Sequence, residues 1–437
     1  MRDRLGSQTS SRRRGAGRRR PNRLSPSLAV LIAGLLGVAC VSTQESADPV
    51  NAIHIGSTLP FSGTRAASGV ALETALRLAI DRVNSAMVLP RPLAIEVRDS
   101  HSDDALGTAN TLALLQEEDI PFFIGPEEPR IAYQIANAIK AQRMVNLLPG
   151  LGSPQIHDST ARAAWFRLSP SPNYLACALA KRMFKDGITR ANAVTDPDDY
   201  SATFATIFGR VFTSMGGTLL PGLQLPASGS NFAEVFATIE RFSPDATMLI
   251  TSPSVAAGFL QEWAVRGKVG KWYLGPPLNN PALLRNVPTG VLEGMLGISP
   301  DLGANAAKFD ADFESMTGVP SLAGSHYYYD AVAMLALAIA EGIAQTGVIP
   351  DPVTLKLHLQ AISSAPGELI QYDDLSRGLA MVAARQKIQY SGAAGAYVLN
   401  ADGDSIQNQA TIWRITGSNF DYAGSELCTD AEVLSSY

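Results

Sequence analysis

Cysteine is scarce in this 437-residue chain, with Cys40, Cys177 and Cys428 its whole complement. None of the three stands at the short spacing of a zinc site, which excludes a cysteine-built metal centre. Histidine is almost as rare. The five, at positions 54, 101, 157, 326 and 358, are scattered and form no H-E-x-x-H pair. There is no G-x-S-x-G nucleophile turn and no G-x-x-x-x-G-K-[ST] phosphate loop. Gly150-Leu151-Gly152 falls short of a dinucleotide fingerprint, because position 155 is Gln. The reading is therefore not an enzyme, with no catalytic residue, no metal and no cofactor. His101, in Ser100-His101-Ser102-Asp103-Asp104, reads as a solvated loop rather than a metal ligand.

Basic charge is short as well. The chain has 35 Lys and Arg against 40 Asp and Glu, a formal charge of −5. Nine Arg and one Asp lie in residues 1–39, so 26 basic and 39 acidic residues follow, a charge of −13. Such a body has little electrostatic support for nucleic-acid binding, and none is expected. At 46% apolar and 17% charged, it reads as globular. Its length calls for more than one core, since single cores stop growing near roughly 250–300 residues.

The excess arginine belongs to a leader. Arg12-Arg13-Arg14 and Arg18-Arg19-Arg20 precede an apolar run, Leu28–Val38. About eleven residues is too short for a membrane span, which needs about twenty, so residues 1–39 read as a signal peptide. The run ends Leu36-Gly37-Val38-Ala39-Cys40. This resembles a bacterial lipoprotein processing site, with Cys40 lipidated, although Gly37 stands where Leu is usual. Plain cleavage near Ala39 is the alternative, and a twin-arginine export signal a weaker one. Residues 40–52 read as a tether. Cys177 sits in an apolar helical run, so no structural disulfide with Cys428 is expected, although an exported protein can oxidise such a pair.

The body opens on Ile53–Asn84, which reads as strand, loop and helix. Ile53 to Leu59 is extended and stops at Pro60; Phe61-Ser62-Gly63 turns the chain. Ser68 is the expected N-cap of a helix whose apolar face is Leu72, Leu76, Ala79, Ile80 and Val83. The same unit recurs about every thirty residues, with strands at 93–98, 122–124 and 145–148 and helices at 105–118 and 128–141. Residues 166–172 look like a crossing, after which the rhythm starts again. Helices are expected at 173–184, 201–215, 232–241 and 255–266, and strands at 190–195, 217–225, 246–251, 272–274 and 294–298. A long helix over 326–344 and two amphipathic helices within 350–385 complete this part. The fold class is α/β, two doubly wound, mostly parallel lobes joined by hinge crossings. The expected lobes are residues 53–171 with about 299–385, and residues 172–298 with about 386–417. A last strand is expected at 411–415, and 418–437 reads as a loose polar tail.

Gly56-x-x-x-Pro60-x-Ser62-Gly63, followed by Asp81-x-x-Asn84, resembles the opening of type I periplasmic binding proteins. The branched-chain amino-acid-binding (leucine/isoleucine/valine-binding) family is the branch it resembles. Ile388-x-Tyr390-x-Gly392 and Asp402-Gly403-Asp404 near the end extend the likeness from about residue 53 to about 420. The resemblance implies a small-molecule ligand held between two lobes and a monomer delivering it to an ABC permease complex in the inner membrane. The chain would be an exported periplasmic or cell-envelope lipoprotein, touching the membrane through its lipid anchor only. A ligand-sensing receptor module and a non-binding envelope protein are the alternatives; an enzyme on the same fold is a further one.

Open α/β sheets bind ligands at the carboxyl ends of their strands. Five loops there supply the candidate site. These are Phe61 to Ser68, Gly125 to Pro129 with Glu128, Pro149 to Ser153 with Gly150, Gly152 and Ser153, Asp198 to Tyr200, and Gly275 to Pro277 with Asn279. Tyr200 resembles the family's ligand-covering aromatic. Two departures bear on the ligand. Glu127 and Glu128 stand where the family presents Ser or Thr to a ligand carboxylate, and Pro277 stands where it often has an acid for the ligand amine. If Glu128 faces the cleft, a neutral, amide-like or amine-bearing molecule should bind better than a branched-chain amino acid. If both Glu point to solvent, Arg65 or Arg130 would hold a carboxylate instead.

Overall fold

In the computed structural model, which describes residues 51–117, 120–150, 165–267, 270–364, 366–400, 403–406 and 408–434, the first lobe is built by alternation. Its elements are β1 (Ile53–Leu59), α1 (Ala66–Ala86), β2 (Leu93–Asp99), α2 (Asp104–Glu117), β3 (Phe122–Ile124), α3 (Pro129–Ala141), β4 (Val145–Leu148) and β5 (Trp165–Arg167). The five strands form one parallel sheet in the order β2-β1-β3-β4-β5. Near-continuous apolar strands such as Phe122-Phe123-Ile124 suit a sheet covered on both faces. In α3, Ile131, Ile135 and Ile139 recur every fourth residue, and the sheet buries that stripe.

The second lobe repeats the plan. It comprises α4 (Pro172–Lys185), β6 (Arg190–Thr195), α5 (Asp199–Ser214), β7 (Thr218–Leu219), β8 (Leu223–Gln224), α6 (Ala233–Phe242), β9 (Ala246–Ile250), α7 (Pro253–Val265), β10 (Lys271–Leu274), α8 (Pro281–Asn286) and β11 (Leu296–Pro300). The chain then returns to the first core through α9 (Ala306–Thr317), α10 (Ser325–Thr346), α11 (Pro352–Ser363), β12 (Glu368–Gln371), α12 (Leu375–Ala383), β13 (Ile388–Gly392) and β14 (Gly395–Ala396). It ends with β15 (Gln409–Thr416), β16 (Asn419–Leu427) and α13 (Asp430–Leu434). The second sheet runs β16-β15-β11-β10-β9-β6-β7, with β8 also on β6, and is antiparallel at β15 and β16. One of its faces packs α4 and α5, the other α6, α7 and α8.

Helix α10 is long and apolar enough to cross a bilayer, yet 83% of its most apolar window is buried in the protein. It is the spine of the first core. At its centre Asp330, fully buried, accepts from the hydroxyls of Tyr390 (2.8 Å) and Tyr397 (2.7 Å) and from the N–H groups of Ala393 and Ala394. Four donors on one carboxylate offset the cost of burying it. A Cβ at Gly392 would overlap that carboxylate, which explains glycine there. The Tyr390-x-Gly392 motif is thus a fastening between α10 and the β13–β14 turn.

Several expectations need correction. Helix α1 starts at Ala66, so Ser68 lies in its first turn and caps nothing. The strand expected over 217–225 is two short pieces, because Pro221-Gly222 interrupts it. The segment 350–385 holds β12 between its helices. Residues 388–399, expected in the second lobe, pack in the first core. Residues 419–427, expected loose, form an edge strand on β15. Cys177 and Cys428 are joined in a disulfide, with Cα atoms 6.2 Å apart, within the usual span. Cys177 sits on α4, which packs against β16, and this brings it to the residue just past that strand.

Two of the crossings between lobes are bound to each other. Arg167 N–H donates to Gly403 O at 3.1 Å and Ser405 N–H to Arg167 O at 2.8 Å. Arg167 Nη2 lies 3.2 Å from Asp404 Oδ2, with both side chains buried.

Candidate ligand-binding site

The carboxyl ends of β1, β3 and β4 converge on a polar cluster. Asp99, at the end of β2, first shapes the loop after β1. It accepts from the N–H of Phe61 (2.8 Å), the hydroxyl of Ser62 (2.8 Å) and the N–H of His101 (2.7 Å). Burial pushes its carboxyl up, but these donors outweigh it and hold it below the ordinary range. The loop so held delivers Arg65 to the start of α1.

Arg65 Nη2 lies 2.9 Å from Glu128 Oε1, and its Nη1 lies 3.9 Å from Glu127 Oε2. Ser100 Oγ donates to Glu128 Oε1 at 2.6 Å, and Ser68 Oγ to Glu127 Oε1 at 3.0 Å. Glu128 is 1% exposed and is the N-terminal flanking residue of α3, with Pro129 at the first helical position. Burial raises both glutamates. For Glu127, Arg65 opposes the rise, Glu128 adds to it, Ser68 opposes it, and the carboxyl settles at about 7. For Glu128, Arg65 and Ser100 oppose it, and the carboxyl still stays above its ordinary value.

The acceptors are not used up. Among the described residues, Glu127 Oε2 and Glu128 Oε2 are buried without a hydrogen-bond donor, and so is the hydroxyl of Tyr328 on α10. Tyr328 is fully buried beneath Gly125 and Gly150; a Cβ on either would lie 3.3–3.5 Å from its ring or hydroxyl. Gly125 has φ +100°, which favours glycine at this turn. Unpaired buried acceptors are costly and mark places that a ligand can complete.

The expected site residues divide. Phe61, Ser68, Glu128 and Gly150 stand at this end of the first sheet. Phe61 is half-buried against the first core, and Gly150 is exposed just past β4. Gly152 and Ser153 lie outside the described residues. Tyr200 stands in the first turn of α5, half-buried on the second core, its ring 6.2 Å from Phe204. Asn279 ends the short turn Pro276–Leu278, and it is Asn280 that caps α8. The premise that both glutamates point to solvent is not met, since Glu128 is buried and paired. Arg130 lies instead 3.6 Å from Asp104.

Sequence reasoning missed Ser100 and Tyr328. The run Tyr327-Tyr328-Tyr329 within an Ala- and Leu-rich helix was the available signal. The second lobe adds Asp196, just past β6, which accepts from Thr251 Oγ1 (2.7 Å) and Ser252 N–H (3.3 Å). Burial raises it, the two donors oppose this, and Asp198 adds to it. Among the described residues no cation pairs with Asp196.

Two doubly wound lobes, joined by crossings and carrying polar groups at their strand ends, define a two-lobed α/β binding protein. The family described as Periplasmic binding protein matches residues 52–416, and the chain belongs to it. A leucine binding protein, LivK, from Thermotoga maritima is similar in structure, with a TM-score of 0.71 at 18% identity over 86% of this chain and 99% of that one. A solute binding protein of an ABC transporter from R. palustris, in complex with benzoate, gives 0.69 at 18% identity over 87% and 98%. In sequence, the chemotactic signal transduction system substrate-binding protein BasB of Halobacterium salinarum is 21% identical over 80% of this chain and 84% of its own length. Both of these solved structures are named as binding proteins, and the family is a periplasmic one.

Proposed function

We propose that this chain is an extracytoplasmic solute-binding protein that captures a small polar molecule, an amino acid or related compound, between its lobes for an ABC-type importer. The observation that carries this is the set of buried oxygens on Glu127, Glu128 and Tyr328 that lack a hydrogen-bond donor among the described residues, gathered where α/β sheets bind ligands. The leucine and benzoate binding named for the two similar structures supports a small solute. The likeness to a chemotactic substrate-binding protein favours a second reading, in which the same capture reports to a signalling partner. On either reading the mature chain works as a monomer.

A thermal-shift screen of small solutes tests the capture. A ligand at a hundred times its dissociation constant adds about 2.7 kcal/mol of stability. A clear shift is expected for at least one polar compound, and it should be lost in Ser68→Ala/Tyr328→Phe. A shift that survives that pair of substitutions would place the ligand elsewhere. Cys40, outside the described residues, is proposed as the anchor, since a stable membrane attachment needs acyl chains. Radioactive palmitate should label the parent and spare Cys40→Ala; labelling of both would refute the anchor.

A further inference from the structure

The charge at the strand ends points to the chemistry of the ligand. On the first lobe two carboxylates, Glu127 and Glu128, share one guanidinium, Arg65. On the second, Asp196 and Asp198 stand past β6 with neutral partners. Asp196 takes its hydrogen bonds from Thr251 and Ser252, and Asp198 from Ser201. Among these described residues, acid exceeds base on both lobes. The open valences have the same sense, since Glu127 Oε2 and Glu128 Oε2 accept and cannot donate when ionised. Tyr328, fully buried and aimed at the same carboxylates from α10, has an unpartnered hydroxyl that can accept or donate. Phe61 and Tyr200 are half-buried aromatics at strand ends, and aromatic rings attract cations.

We propose that the site takes a small organic cation, a protonated amine or amidine, seated on Glu127 and the Tyr328 hydroxyl while Arg65 remains on Glu128. This rests on the reading that the chain captures a solute. An anionic ligand would meet the glutamates at short range and would compete with them for Arg65. Glu127 suits the role of the responding group. Its side chain keeps 19% exposure, whereas that of Glu128 keeps 1%.

Proton linkage gives the proposal a sign. Arg65, Glu128 and Tyr328 face Glu127 in the first lobe, and Asp104 acts on Glu128 from α2. With its carboxyl at about 7, Glu127 is largely protonated below that pH and must release its proton to hold a cation. Cation affinity should then rise by up to about tenfold per pH unit toward pH 7 and level off above it. An anion would show the reverse, its affinity falling as Glu127 ionises.

The experiment uses the full mature chain and charge-matched probes. The cations are isoamylamine, benzylamine, agmatine and choline; the anions are 4-methylpentanoate, benzoate and glutarate; 4-methylpentanamide and benzamide are neutral. Thermal shift selects binders, and calorimetry at pH 5.5, 7 and 8.5 in two buffers reads affinity and protons released. At least one cation should bind, with proton release at pH 7. Glu127→Gln should weaken it at least tenfold and flatten the pH profile, and Tyr328→Phe should weaken it with the profile retained. Tighter binding of an anion or amide than of any cation overturns the ligand class and leaves solute capture standing. Silence from every compound also overturns the class, and capture is then decided by the wider screen. Circular dichroism of each variant separates loss of binding from loss of fold.

Discussion

Burial raises the Glu127 carboxyl from an ordinary 4.5 to about 7, and this ties one residue to the pH dependence of the whole fold. Between those values the native protein holds a proton that the unfolded chain has released. Stability therefore falls as pH rises through that window, and the full cost of the ionised group is present above about pH 7. A shift of this size corresponds to about 3 kcal/mol at most. Glu127→Gln should thus stabilise the ligand-free protein by about 1–3 kcal/mol at pH 8, and the gain should shrink toward zero near pH 4.5. Urea unfolding at both pH values reads it; a gain that does not depend on pH would mean that Glu127 is not raised. The glutamates themselves were legible in the sequence as a departure from a resemblance. Their environment was not, because Arg65 with Ser68, Ser100 and Tyr328 reach them from three separate stretches of chain. Tyr328 lies about two hundred residues beyond Glu127, and no local pattern signals that approach.

At the scale of elements, the strong periodicities were readable and the weak ones were not. Helices such as α3, with its apolar stripe, and α10, apolar and buried nearly all round, and apolar strands such as β3 and β9, stand within a residue or two of their expected places. β12 escaped because only Ile370 of its four residues is buried. β16 escaped because an edge strand pairs its backbone on one side and leaves most side chains to solvent, so Asn419-Phe420-Asp421-Tyr422 reads as polar loop. The same edge explains the disulfide. Cys177 is buried on its helix as the pattern implies, but it is no free thiol, because the strand that brings Cys428 alongside α4 has no local signal. The opening strand-loop-helix unit was the most informative stretch, since β1 occupies the expected residues, 53–59. Its loop works differently from the expectation. Asp99 holds it, Arg65 leaves it, and Ser68 turns toward Glu127 rather than toward the helix end.

At the scale of the molecule, the alternation of strands and helices foretold two doubly wound lobes, and the chain has them. The division of the last third was harder, because residues 388–399 return to the first core before β15 joins the second sheet. The order of crossings, not the local pattern, decides which lobe owns a segment. Arg167, Asp404 and the hydrogen bonds at Gly403 and Ser405 bind two crossings together, so few segments are left to flex. Few covalent links between two separately cored lobes are the setting for a hinge that closes on a ligand. On the proposed reading, capture closes the two lobes on the ligand, and small-angle scattering reads that closure. The mature chain should show a smaller radius of gyration when saturated with the compound giving the largest thermal shift, and Tyr328→Phe should need more of that compound for the same change. An unchanged scattering curve at saturation would contradict it.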